Sequence, residues 1–147
     1  MSGVFLLLGT NLGDRAINLK KARTFLEDEV GLLVKVSSIY ETAAWGEEKQ
    51  PAFYNQVLEV STDLNPEDLL DKVLEIEKKM GRVRLKKWGQ RLIDIDILYY
   101  QSQLIDSPKL TVPHPYLHLR RFTLMPLTEI APNFVHPLIK KDSATLL

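Results

Sequence analysis

The sequence predicts an α+β fold: a βαββαβ chain of the split-βαβ or ferredoxin-like plan with additional C-terminal elements, its helices on one face of a mainly antiparallel sheet. Three patterns carry that expectation. Short apolar or alternating runs stand at 4–8, 33–40, 53–62 and 93–99; two segments repeat apolar residues at helical spacing between caps; and strands and helices follow one another in the order βαββαβ.

Val4 to Leu8 is apolar throughout, as in a buried strand, and Gly9-Thr10-Asn11-Leu12-Gly13-Asp14 closes it with turn residues that end in a helix N-cap. Leu19, Ala22, Phe25 or Leu26, and Val30 then recur at helical spacing, with Gly31 expected to stop the helix. Leu33 to Tyr40 reads as a strand. Glu41 to Ala52 is irregular, holding Gly46, Pro51 and Trp45. From Phe53 to Thr62 the chain alternates, placing Phe53, Asn55 and Val57 on one face and Tyr54, Leu58 and Val60 on the other. Asn65-Pro66-Glu67-Asp68 is a helix start, combining an amide cap, a proline in the first turn and acids that complement the dipole. Leu69, Val73, Ile76 and Met80 form the buried stripe, Glu77 lies at its margin near the sheet, and Gly81 ends the helix. Two helices then cover one sheet face, and the other is expected to be open. Pro113-His114-Pro115, Arg120-Arg121-Phe122 and Leu124 to Ile130 belong to a further helical or mixed layer.

With 147 residues the chain fits a single domain spanning 1–147. Lys+Arg and Asp+Glu both number 19, so no global field favours nucleic acid or an anionic membrane. There is no cysteine, which removes disulfides, thiolate metal sites and a thiol nucleophile. The N-terminal apolar run is too short for a signal sequence and lacks its basic start, and no segment reaches transmembrane length. A cytoplasmic monomer with small-molecule partners is expected.

The most informative stretch is Trp88-Gly89-Gln90-Arg91-Leu92-Ile93-Asp94-Ile95-Asp96-Ile97-Leu98. Side chains alternate along a strand, so Asp94 and Asp96 share one face while Ile93, Ile95, Ile97 and Tyr99 are expected to point into a core. Adjacent carboxylates repel each other, and a shared cation relieves the repulsion. Mg²⁺ suits such a pair, being held by one or two carboxylates plus nucleotide phosphates. Arg82, Arg84, Lys86, Lys87 and Arg91 crowd the loop just before it and would oppose phosphate charge. A strand with one wet face would also explain the alternation, but such a face has no need of so dense a basic run.

Several ordered stretches resemble the 6-hydroxymethyl-7,8-dihydropterin pyrophosphokinase family. They are Leu8-Gly9-Thr10-Asn11-Leu12-Gly13-Asp14; Tyr40-Glu41-Thr42 with Gly46, Gln50-Pro51 and Asn55; Gly81-Arg82-Val83-Arg84 leading to the Trp88-Gly89 and Arg91-to-Asp96 stretch; and Val112-Pro113-His114-Pro115 with Arg120, Phe122, Pro126-Leu127 and Glu129-Ile130-Ala131-Pro132. The resemblance implies transfer of a pyrophosphoryl group from ATP to the pterin hydroxymethyl group, releasing AMP. By the same resemblance Asp94 and Asp96 would bind two Mg²⁺ ions bridging the ATP phosphates and the pterin hydroxyl, with Arg82 and Arg91 neutralising phosphate charge. His114 and Arg120 would contact ATP, with Lys109 where relatives often carry Arg, and Trp88 and Ile97 are assigned to the same nucleotide site. The pterin would lie between Phe53 and Phe122, read by Asn55 and by groups near Thr42, with Trp45 beside it.

The sequence also departs from that family. Thr42-Ala43-Ala44-Trp45 stands where many relatives carry Pro at a middle position, Phe53 is often Tyr, and Pro115 follows the histidine where some have Tyr. Gly9 to Asp14 lacks the Lys-Ser/Thr of a Walker loop and reads as a turn and cap, with Asn11 a candidate brace for the site. His118 and His136 read as structural or surface residues. Glu77 reads either as a surface acid or as a brace behind the site. Two other functions compete. A ferredoxin-like module stacking single-stranded RNA would need basic residues and aromatics on its strands, whereas here the strand carries two acids. A phosphoryl or nucleotidyl transferase with another acceptor would share the metal site and lack the pterin requirement.

Overall fold

A computed structural model describes residues 3–43, 51–81 and 92–147. The chain runs β1 (Val4–Thr10), α1 (Arg15–Glu29), β2 (Gly31–Val36), β3 (Tyr40–Thr42), β4 (Phe53–Thr62), α2 (Pro66–Lys79) and β5 (Asp94–Tyr100). A small hairpin of β6 (Ile105–Asp106) and β7 (Thr111–Val112) follows, then a 3₁₀ turn at Leu117–Leu119, α3 (Arg121–Ile130) and α4 (Ser143–Leu146). The main sheet has the order β2-β4-β1-β5, with β3 on β4, and every pairing is antiparallel. This is the expected α+β arrangement, and it leaves β5 as an outer strand.

Both helices start as their caps dictate. The Asp14 carboxylate accepts the Ile17 N–H, and the Asn65 side chain accepts the Asp68 N–H with Pro66 in the first turn. α1 and α2 close one face of the sheet: Leu19, Ala22, Leu26, Leu69, Val73 and Ile76 pack on Val4, Leu6, Leu8, Leu58, Val60, Ile93, Ile95 and Ile97. Gly81 ends α2 at φ +84, a conformation glycine adopts without steric cost.

Gly31 has a different role from the expected helix stop. It is the first residue of β2, and a Cβ there would lie 1.9 Å from the Ser61 carbonyl oxygen, so glycine is required by the close approach of β4. The strand expected over 33–40 divides into β2 and β3. At the break the Ser37 N–H donates to the Val57 carbonyl, and the Ser38 N–H donates to Glu129 of α3.

Two further expectations are corrected. The second face of the sheet is not fully open, because Leu124, Leu127 and Ile130 of α3 cover Phe5, Leu7 and Val57 in a second core cluster. Tyr99 belongs to that second cluster and does not follow Ile93, Ile95 and Ile97. The β1–β5 register slips between Phe5, opposite Tyr99, and Leu6, opposite Ile97, and this bulge at Leu98 reverses the facing of every residue beyond it.

Candidate active site

The acidic pair sits before the bulge, where the pleat is regular. Asp94 lies opposite Gly9 and Asp96 opposite Leu7, so both carboxylates share the sheet face that α3 covers further along. Each is partly exposed while Ile93, Ile95 and Ile97 are buried. Apolar packing on the helix side thus pins the strand and leaves the acids at the solvent boundary.

Gly9 joins this pair to the other half of the site. It pairs with Asp94 on one side and with Asn55 on the other, so Asn55 and Asp94 are two strand spacings apart, about 10 Å. A Cβ at Gly9 would lie 3.5 Å from Asn55 Oδ1 and 3.9 Å from the Phe53 ring, which places both side chains above a shallow ledge floored by glycine. Asn55 Nδ2 donates to Thr42 Oγ1 at 2.8 Å and faces the Tyr40 carbonyl at 3.5 Å. Its donor is thereby committed to β3, and Oδ1 presents an acceptor to whatever lies on the ledge.

Beside the pair, a cavity of about 340 Å³ opens between β5, α2 and the segment around β7. Asp94, Asp96, Ile97, Lys109 and His114 line it, as do Leu70, Leu74, Glu77, Leu110 and Thr111. Pairing sequence with chemistry singles out the charged lining residues but misses Leu70, Leu74 and Thr111, because an apolar or hydroxyl wall carries no distinctive local pattern. Glu77 is only 6% exposed, and its Oε2 accepts the Ile95 N–H at 2.7 Å. A larger groove of about 790 Å³ runs between α1 and α2 over Phe25 and Met80. Its described lining holds Asp28 as the one acid, so it lacks the paired carboxylates that the chemistry requires.

His114 is held from both ends. Its N–H donates to the Leu98 carbonyl, and its Nδ1 accepts the Tyr116 N–H at 3.2 Å. An accepting Nδ1 puts the neutral ring's proton on Nε2, where it is available as a donor. Burial, and then the charge of Arg120, push the imidazole pKa down to about 4, so the ring stays neutral at ordinary pH. The Arg120 guanidinium is itself placed by two rings, 5.3 Å from the centroid of Tyr116 and 5.5 Å from that of Phe122. Phe122 packs at the edge of the second core cluster, at the start of α3.

The turn after β1 ties these parts together. Asn11, fully buried, donates from Nδ2 to the Pro51 carbonyl at 3.1 Å, and Thr10 Oγ1 donates to the Leu92 carbonyl. Arg15 reaches the Ala52 carbonyl at 2.8 Å and stacks 4.1 Å over the Tyr54 ring. Asn11 therefore braces the chain entering β4, while the helix cap itself is Asp14. His136, expected to be structural or surface, is buried and accepts the Leu138 and Ile139 N–H groups at Nδ1. Trp45, Arg82, Trp88 and Arg91 lie outside the described residues.

Comparison with known proteins decides what this geometry belongs to. Residues 5–132 match the family described as 7,8-dihydro-6-hydroxymethylpterin-pyrophosphokinase (HPPK). The chain belongs to this family. The 2-amino-4-hydroxy-6-hydroxymethyldihydropteridine pyrophosphokinase of Aquifex aeolicus is 46% identical over 141 residues, 96% of this chain and 88% of that protein. The enzyme of the same name from Bacillus subtilis is 43% identical over 127 residues, covering 86% of this chain and 76% of that one. The folic acid synthesis protein FOL1 of Dictyostelium discoideum is 43% identical over 134 residues, but these are 20% of its length. A crystal structure of HPPK-DHPS in complex with substrates superimposes with a TM-score of 0.78 at 17% identity over 97% of this chain. The chain spans 42% of the length of that structure, and the likeness establishes the HPPK fold.

Proposed function

We propose that the chain transfers a pyrophosphoryl group from ATP to the hydroxymethyl group of 6-hydroxymethyl-7,8-dihydropterin, yielding the pterin diphosphate and AMP in folate biosynthesis. The observation that supports it most is the placement of Asp94 and Asp96 on one face, a single glycine-bearing strand away from the Asn55–Phe53 ledge. The pterin hydroxymethyl oxygen attacks the β-phosphorus, the bond from that phosphorus to the α,β-bridging oxygen breaks, and AMP leaves with the bridging oxygen. The hydroxyl proton is released as the new ester bond forms.

The residues present fit Mg²⁺. The cavity offers the hard carboxylate oxygens of Asp94 and Asp96, two residues apart on one face of β5. A pair of acids that leaves coordination positions to phosphate oxygens and water is the arrangement Mg²⁺ favours. When bound, two such ions supply charge neutralisation at the phosphates and acidify the attacking hydroxyl. Asp94 and Asp96 would hold them.

The protein's own groups do the remaining work. Neutral His114 donates from Nε2 to a phosphate oxygen, Arg120 adds a fixed positive charge, and Lys109 closes the rim. Arg82 and Arg91 balance the phosphates of the transferred group. Asn55 Oδ1 accepts from an N–H on the pterin edge, while Phe53 and Phe122 stack on the ring faces and Trp45 borders it. Trp88 and Ile97 flank the nucleotide. The domain spans 1–147 and works as a cytoplasmic monomer on its two small-molecule substrates.

An assay of the purified protein with ATP, Mg²⁺ and the reduced hydroxymethylpterin tests this reading. AMP should appear in equal amount to the pterin diphosphate and only when the pterin is present. Formation of ADP in place of AMP, or of AMP with no pterin added, would reject it.

A further inference from the structure

Glu77 has no part in the chemistry above, yet it is a carboxylate buried to 6% exposure on the inner side of α2. A buried carboxylate destabilises a fold unless it is bonded, so its partner is informative. Among its partners is the Ile95 N–H, 2.7 Å from Oε2. β5 is the outer strand of its sheet, and Ile95 is the residue between Asp94 and Asp96. Among the described residues no strand lies beyond β5 to accept an outward N–H, and the Ile95 N–H is buried where it meets Glu77 of α2. A charged acceptor makes this bond stronger than a neutral one. Fixing the amide of the middle residue fixes the pleat on both sides of it, and that pleat brings the two acids onto one face.

We infer that Glu77 is a positioning residue that locks β5 through the Ile95 amide and so sets the spacing of the cation-holding pair. The inference rests on the proposed function for the cation and extends it to a residue outside the acidic pair. A structural acid far from any site would need no such address; Glu77 lines the same cavity as Asp94 and Asp96.

Glu77→Gln and Glu77→Ala, compared with the unaltered protein, test it by amide hydrogen exchange at Ile95 and by the Mg²⁺ concentration that half-saturates AMP formation. Glu77→Gln retains an acceptor oxygen and should keep both quantities within about threefold. Glu77→Ala should speed Ile95 exchange by about a hundredfold and raise the half-saturating Mg²⁺ by about tenfold, with the KM for pterin unchanged. Unchanged Ile95 exchange in Glu77→Ala would overturn the inference. So would a loss of more than about tenfold in turnover by Glu77→Gln with the amide still protected, since Glu77 would then act by touching a ligand. If Glu77→Ala does not fold, Glu77→Leu, which keeps the volume and offers no acceptor, takes its place with the same expected and overturning results. Absence of pterin-dependent AMP from the unaltered protein would reject the proposed function, and the Ile95 comparison would still test the brace.

Discussion

Asp94→Asn and Asp96→Asn each remove one charge from a partly exposed carboxylate while keeping its shape, so they act on cation binding and leave the core untouched. Each should lower AMP formation by at least about a hundredfold at ordinary Mg²⁺ with an unchanged melting temperature. A variant with near-normal turnover would remove that carboxylate from the metal site. His114 gives a second residue-scale test through pH. Its folded pKa, about 4, lies below the ordinary 6.5, so between these values the unfolded chain binds a proton that the folded protein refuses. The stability it contributes is complete above about 6.5 and is lost as pH falls towards about 4. Melting curves should show a smaller loss between pH 7 and pH 4.5 in His114→Gln than in the unaltered protein. An equal loss would mean that the imidazole titrates normally.

Among the elements, β2 and β5 show where local sequence suffices and where it does not. The caps at Asp14 and Asn65 and the stop at Gly81 are written locally and were legible, as was the sharing of a face by Asp94 and Asp96. The reversal at Leu98 was not, because a bulge is set by the pairing with β1 and leaves a continuous apolar run unaltered. Gly31 was misread for the same reason: a glycine after a helix signals a stop, and only the partner strand reveals the close contact with Ser61. Gly31→Ala forces a Cβ to within 1.9 Å of a backbone carbonyl, which cannot move aside as a flexible side chain could. It should cost about 3 kcal/mol, read from denaturant unfolding. A cost near zero would show that β2 is free to shift along this edge.

Across the whole molecule, the fold gathers the residues of the proposed site on one sheet and on the segment that follows β7. β5 presents acids, β4 and β3 present the Asn55–Thr42 pair with Phe53, and the segment after β7 presents His114 and Arg120. Of these, the shared face of Asp94 and Asp96 was legible from strand alternation, while the roles given to them and to the basic residues rest on the family resemblance. The ledge at Gly9 and the coverage by α3 are consequences of strand order, which no local pattern records. The same order puts Asn11 and Thr10 where one turn bonds the chain at Pro51 and at Leu92. In the proposed reaction Asp94 and Asp96 join nucleotide to protein through a divalent cation. Calorimetric titration with a non-hydrolysable ATP analogue, once with Mg²⁺ and once with a chelator, measures that link. The unaltered protein should bind at least about a hundredfold more tightly with Mg²⁺, and the Asp94→Asn/Asp96→Asn double variant should lose that difference. Equal affinity with and without the cation in the unaltered protein would contradict it.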